Sequence, residues 1–273
     1  MSEIDITEPI RRFYDDGAEH EWDRHDRHLL EFPVTMHFLM QSLAPESRIL
    51  DEGSGPGRYA LDLTMRGHRL NLLDLSEKEI EIAREKARQQ GVEFESAGTG
   101  DARDLSCWPD ASFDAVLCLG PLYHLQREMD RRQVLSEAAR VLKPGGLLAA
   151  AYISRFAPVY DLAKRFPDSI RDAAGRMKSY LETGRHTRAP GNDGFVDAWF
   201  ASPEQIDLDF SGIAVQRIML FGAEGGLAQS EPRLLKQGSA DRQAWLDLAI
   251  HLAPTSAGIF GSEHLVVLAR KTV

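Results

Sequence analysis

Between residues 46 and 154, short apolar runs alternate with longer stretches whose apolar side chains recur every three or four positions. The runs SRILDEG (47–53), RLNLLDLS (69–76), VEFESAG (92–98), FDAVLCLG (113–120) and LLAAAYIS (147–154) read as strands. The fourth is strongly apolar, as expected of a strand buried on both faces. The stretches RYALDLTMRG (58–67), SEKEIEIAREKARQQG (76–91) and REMDRRQVLSEAARVL (127–142) read as helices. Ser76 with Glu79 three positions on predicts a capping box, and Gly91 a C-cap. Strand–helix alternation of this kind implies βαβ units and a parallel, doubly wound sheet.

The pattern differs on either side. Residues 1–45 read as helical, with Phe13, Tyr14, Trp22, Leu29, Leu30, Val34, Phe38 and Leu39 at roughly helical spacing among many charges. After Ser154 the alternation stops. FAPVYDLAKRF (156–166) and SIRDAAGRMKSYLETG (169–184) read as helices and HTRAPGNDG (186–194) as a loop. IAVQRIMLF (213–221) and EHLVVLARK (263–271) read as two more strands, with AWLDLAIHLA (244–253) a helix between them. The expectation is an α/β chain: a mostly parallel seven-stranded sheet, helices on both faces and a helical cap. Four segments follow: a helical lid at 1–45, a core at 46–154, a helical insertion forming a substrate cap at 155–212, and 213–273 completing the core.

Composition narrows the function. There are 32 Lys and Arg against 42 Asp and Glu, a net charge of -10, with 43% hydrophobic and 27% charged residues. These are globular proportions. The acidic balance argues against broad binding to a phosphate backbone, so a nucleic-acid partner is not expected. No apolar run reaches the length of a membrane span, and the N-terminus lacks an apolar signal core. Cys107 and Cys118 are too few for a disulfide framework or a zinc site, and the cytoplasm is the default compartment. No metal is expected.

The sharpest motif is Asp51-Glu52-Gly53-Ser54-Gly55-Pro56-Gly57, directly after a strand. Glycines there let the chain turn tightly and a ligand approach closely. A dinucleotide fingerprint needs a glycine at the sixth position from Gly53, where this chain has Arg58. Asp51 and Glu52 would also repel a pyrophosphate. A phosphate-free nucleoside bearing cationic groups suits the loop better. Asp74, at the end of the second strand, can accept both ribose hydroxyls of an adenosine. Asp101, in Gly100-Asp101-Ala102, can accept from an exocyclic amine.

With these residues in place, the chain resembles the class I S-adenosylmethionine-dependent methyltransferases, which are Rossmann-like. ILDEGSGPG, LLDLS, GTGDARDL and FDAVLCLGPLYHL are similar to their first four motifs, VLKPGGLL to the segment before their fifth strand, and GSEHLVVLARK to their ending. The resemblance covers roughly residues 45–155. It implies S-adenosylmethionine as cofactor and S-adenosylhomocysteine as product. It places Asp51, Gly53, Gly55 and Gly57 around the methionine moiety, Asp74 and Leu75 at the ribose, Asp101 and Ala102 at adenine, and Leu119 beside the cofactor. Related enzymes use an N-terminal helix as a lid with a tyrosine near the sulfonium, which points to Tyr14; a core aromatic on an amphipathic helix is the other reading.

Tyr123 and His124 follow the fourth strand, at the edge facing the transferable methyl in that fold. His124 is either a general base or holder of the acceptor's nucleophile, or a structural histidine bonded across its loop. Arg155, after the fifth strand, is the candidate contact for an anionic acceptor, with Tyr123 beside it as a substrate residue. Where DNA amino-methyltransferases carry an Asn/Asp-Pro-Pro-Tyr/Phe tetrad, this chain has Gly120-Pro121-Leu122-Tyr123, without the polar first residue. The expected activity is methyl transfer to O, N or C of a small molecule. The rivals are an RNA or protein methyltransferase, a non-catalytic S-adenosylmethionine-binding protein and an NAD oxidoreductase. A homodimer stays open.

Overall fold

The computed structural model describes residues 7–23, 28–189, 195–234 and 236–272. A seven-stranded sheet runs through the molecule in the order β3-β2-β1-β4-β5-β9-β8. Its strands are β1 (Arg48–Glu52), β2 (Arg69–Asp74), β3 (Ser96–Thr99), β4 (Phe113–Cys118), β5 (Leu142–Ile153), β8 (Val215–Gly222) and β9 (His264–Lys271). The first five pair in parallel; β9 is antiparallel to both β5 and β8. A small antiparallel ribbon, β6 (Arg185–His186) with β7 (Ala198–Trp199), stands apart. The strand order reverses between β1 and β4, which opens a crevice at their carboxyl ends.

The helices are α1 (Thr7–Trp22), α2 (Glu31–Ser42), α3 (Arg58–Met65), α4 (Glu77–Gln89), α5 (Glu128–Val141), α6 (Ala157–Arg165), α7 (Ile170–Thr183), α8 (Pro203–Phe210), α9 (Glu231–Leu234), α10 (Ser239–Leu252) and α11 (Ser256–Phe260). The central strands are buried on both faces, so the sheet has two cores. Ile49, Leu70, Leu72 and Leu117 pack with α2, α3 and α4 on one side. Leu50, Val116, Leu148 and Val267 pack with α5 on the other. A third, smaller cluster of Ala173, Met177, Tyr180, Ala198 and Phe200 joins α7 to the ribbon.

Several local expectations are corrected. The third strand lies at Ser96–Thr99 rather than starting at Val92, because the Glu95 side chain turns to Arg48 and Asn71 and only its backbone N–H reaches Leu70. The fifth strand begins at Leu142, five residues earlier than read. The helix before the last strand begins at Ser239. The capping box at Ser76 is half formed. Ser76 Oγ accepts from Glu79 N–H at 3.1 Å, but the reciprocal bond is absent because the Ser76 N–H donates to Asp74 Oδ1 at 2.9 Å. Glu79 is left fully buried with neither carboxyl oxygen bonded. A complete capping box occurs instead at Ser202 and Gln205, at the start of α8.

Candidate active site

A cavity opens at the carboxyl ends of β1, β2, β3 and β4, beneath α1. Its wall includes Asp51, Gly53, Gly55, Asp74, Leu75, Asp101, Ala102, Leu119, Tyr123, His124 and Tyr14. Residues from 14 to 124 thus meet in one enclosure.

The glycine loop is shaped by the strands beside it. Gly53, Gly55 and Gly57 have φ of 75°, 51° and 77°, in the left-handed region that side chains disfavour. The amides of Gly53 and Ser54 donate to Leu73 O at 2.7 and 3.2 Å, that of Gly55 to Asp74 Oδ2 at 2.8 Å, and that of Gly57 to Ser54 O at 3.1 Å. Pro56 has none. The loop therefore keeps no N–H for a phosphate, which such loops normally cradle with amides.

Charge leads to the same ligand chemistry. Asp51 is 2% exposed and its Oδ2 has no hydrogen-bond partner, although the residue lines the cavity. Burial, then the charge of Asp74, pushes its carboxyl up to about 8. An ammonium entering the cavity would satisfy this orphaned oxygen and restore its charge. Asp74 is raised by burial, against the lowering effect of the Ser76 and Gly55 amides. Its Oδ2 accepts the Gly55 amide and its Oδ1 the Ser76 amide, and the carboxylate keeps lone pairs for a ribose hydroxyl. Asp101 also faces the cavity, but both its oxygens already engage Arg103, the shortest contact being 2.6 Å. An adenine amine there would share the carboxylate with a guanidinium. The residues present fit S-adenosylmethionine: an orphaned acid oxygen for its ammonium, an acid with free lone pairs for its ribose, and a glycine loop whose own amides are already bonded within the protein.

The other end of the cavity is aromatic. Pro121–His124 forms a single 3₁₀ turn after β4. It delivers His124, 6% exposed, to Tyr14 on α1, whose hydroxyl lies 2.7 Å from His124 Nε2. Tyr123 and Phe195 flank the same imidazole, with ring centroids at 4.7 and 5.5 Å. Burial pushes the His124 ring down to about 4, with the Asp197 backbone acting the other way. The imidazole is therefore neutral near pH 7 and available as a hydrogen-bond acceptor or base.

Two expected residues lie elsewhere. Gly57 does not line the cavity. It caps α3, and a Cβ on it would meet Ala83 Cβ at 3.0 Å, so glycine here serves helix packing. Arg155 also lies outside the wall. Its Nη2 donates to Gln205 Oε1 and its backbone N–H to Ala201 O, so it holds the cap together. Sequence reasoning missed Glu21, Arg58 and Tyr59, which also line the wall. The guanidinium of Arg58 stacks 5.0 Å over Trp22, joining the cofactor loop to α1. The residue that broke the dinucleotide pattern was the available signal. Glu31, Glu224 and His264 bring one ligand atom each within 4.8 Å of one another, outside the cavity wall. There Glu224 accepts from the N–H groups of Glu263 and His264 and lies 2.6 Å from the His264 ring, fastening the start of β9.

Known proteins are similar to this chain in sequence and fold. The family described as Methyltransferase domain matches residues 50–150. The chain is 40% identical over 115 residues to 27-O-demethylrifamycin SV methyltransferase of Amycolatopsis mediterranei, covering 40% of each protein. It is 29% identical over 132 residues to a ubiquinone biosynthesis O-methyltransferase of Xanthomonas axonopodis pv. citri, covering 48% of this chain and 54% of the relative. The match thus spans about half the length of these curated relatives or less. Among solved structures, a SAM-dependent methyltransferase of Methanosarcina mazei superposes with a TM-score of 0.58 at 19% identity, over 86% of this chain and 97% of that one. Residues 50–150 are thus similar to a methyltransferase domain, and the chain shares the fold of a solved SAM-dependent methyltransferase.

Proposed function

We propose that this protein transfers a methyl group from S-adenosylmethionine to an O, N or C atom of a small-molecule acceptor. One observation carries the reading: the unpartnered Oδ2 of Asp51 and the Tyr14–His124 pair belong to a single cavity lined by α1. A cavity with an aromatic end beneath α1 suits a small acceptor better than a polymer. The net charge of -10 supports the same choice over RNA.

When bound, S-adenosylmethionine supplies a methyl made electrophilic by its sulfonium. The chain's own task is alignment and the exclusion of water, and alignment supplies roughly 7–11 kcal/mol in favourable cases. Asp51 holds the ammonium, Asp74 the ribose and Asp101 the adenine edge, while Gly53 and Gly55 allow close approach. Leu75, Ala102 and Leu119 supply apolar contact. His124 receives or orients the acceptor's hydrogen at Nε2, once Tyr14 yields that position or shares it. The Tyr14 side chain lines the same cavity, where its face or its oxygen would stabilise a sulfonium.

We read α1 as a lid over the core, and residues 155–212 as a cap whose Phe195 ring packs against His124. The two unpaired cysteines support a cytoplasmic setting. No helix among the described residues is long and apolar enough to cross a membrane. The test has two parts. Calorimetry should find S-adenosylmethionine binding to the purified protein, and a panel of hydroxylated and amino acceptors should release S-adenosylhomocysteine. Labelled cofactor in a cell extract should mark small products. Label in protein or RNA would overturn the small-molecule reading, and binding without any turnover would favour a sensor.

A further inference from the structure

We propose that Arg131 is the positioning residue for His124, holding the acceptor end of the cavity in register from behind. This rests on the reading above, in that His124 works at the acceptor. Arg131 stands on α5 and is 4% exposed. Its Nη1 donates to the carbonyls of Leu125 at 2.9 Å and Gln126 at 3.2 Å, the two residues that follow His124. Its Nε and Nη2 form a fork on Asp209 of α8, at 2.7 and 3.0 Å. The guanidinium carbon lies 3.4 Å from the ring centroid of Trp199, on β7.

The turn that carries His124 needs such outside support. It is one 3₁₀ turn of four residues, closed by a long bond from Leu125 N–H to Leu122 O at 3.3 Å. Turns of this type have poor hydrogen-bond geometry and hold their shape weakly by themselves. Arg131 fixes the two carbonyls where the turn ends. Through Trp199 and Asp209 it also fixes the ribbon and helix opposite. Gln126 closes the circuit: its Nε2 donates to His186 O, and the His186 ring lies 3.0 Å from Phe195 O at Nε2. The Phe195 ring in turn flanks His124. One guanidinium thereby sets both the backbone behind His124 and the strip of chain that walls it.

Stability alone does not explain this choice. A buried ion pair recovers little more than its desolvation cost, and an apolar pair of similar volume is often as stable. A lysine could neutralise Asp209 but lacks the planar fork needed to hold it and two carbonyls together. The buried pair of Lys164 with Glu263, at 2.7 Å, provides a comparison, since it ties α6 to the residue before β9 and touches none of these groups.

The test uses the full chain with labelled histidine. The ring signal of His124 is assigned by its loss in His124→Gln, and its titration is followed by NMR. In the wild type it should titrate near 4. In Arg131→Met the turn should loosen, water should reach the ring, and the midpoint should rise by roughly one unit or more toward the ordinary histidine value. Arg131→Lys keeps the charge and carries the test should Arg131→Met not fold; it should shift the midpoint in the same direction. The double variant Lys164→Met/Glu263→Gln should lower the melting temperature and leave the His124 titration in place. With an acceptor in hand, both Arg131 variants should lose roughly tenfold or more in kcat while cofactor affinity stays within about twofold. A folded Arg131→Lys with wild-type His124 titration overturns the proposal, as does an equal shift in the Lys164/Glu263 variant. The NMR result stands whether or not methyl transfer is found, so failure of the proposed function is separately visible.

Discussion

Tyr14 and His124 are 110 positions apart in the chain, and the Tyr14 hydroxyl lies 2.7 Å from Nε2 of the His124 ring. The rings also meet edge to face, at 5.4 Å. This contact joins the N-terminal helix to the end of β4 across the mouth of the cavity. Tyr14→Phe keeps the ring packing and removes the hydroxyl, leaving a buried imidazole nitrogen without that partner. The variant should lose about 1–3 kcal/mol of stability in urea denaturation. Its turnover should fall by more than its cofactor affinity.

Burial of His124 makes stability depend on pH. The unfolded chain protonates that ring near 6.5 and the folded chain near 4. Between those values the unfolded state binds more protons, so folding stability falls as pH drops through the window. The contribution is complete above about 6.5 and is on the order of 3 kcal/mol. Guanidinium denaturation at pH 7.5 and pH 4.5 should show this extra loss in the wild type and its absence in His124→Gln.

Asp51 titrates with the opposite sign. Its folded-state value of about 8 means that the ligand-free protein carries it protonated at neutral pH. An incoming ammonium favours the carboxylate, so binding near pH 7 should release roughly one proton. Affinity should therefore rise with pH up to about 8. Calorimetry in buffers of different ionisation enthalpy measures that proton directly, and Asp51→Asn should abolish it.

Asp74 has structural and ligand roles at once. Asp74→Ala removes acceptors for the Gly55 and Ser76 amides as well as for a ribose. Cofactor binding should weaken by about 1–3 kcal/mol. Unchanged affinity by calorimetry would refute the ribose assignment.

The glycines of the loop should separate by function. Gly55 and Gly57 both have positive φ, so alanine strains each by about 1–3 kcal/mol. At Gly57 the added methyl meets Ala83 and Leu72, whereas at Gly55 it meets no protein atom within 4 Å and stands at the cavity wall. Gly57→Ala should lower the melting temperature more, and Gly55→Ala should weaken cofactor binding more.

Much of this was legible because the informative residues sit at strand ends. The positions of Asp51, Asp74 and Asp101 follow from runs that read as strands and from the loops after them. The pairing of Tyr14 with His124 was not legible, since each residue alone has an ordinary structural reading and only the fold brings them together. Resemblance places Gly57 at a ligand and chain position places Arg155 there, yet one packs against α4 and the other turns into the cap. The ribbon of β6 and β7 has two residues per strand, too few for any alternation to register. The short helix Pro203–Phe210 had a readable start in Ser202 and Gln205, but only eight residues of pattern behind it.

A crystal structure of the protein with S-adenosylhomocysteine tests the central claim most directly. It should place the ammonium against Asp51, the ribose on Asp74, and the thioether sulfur toward Tyr14 and His124. A nucleoside bound elsewhere, or a cavity that stays empty at saturating concentration, would contradict it.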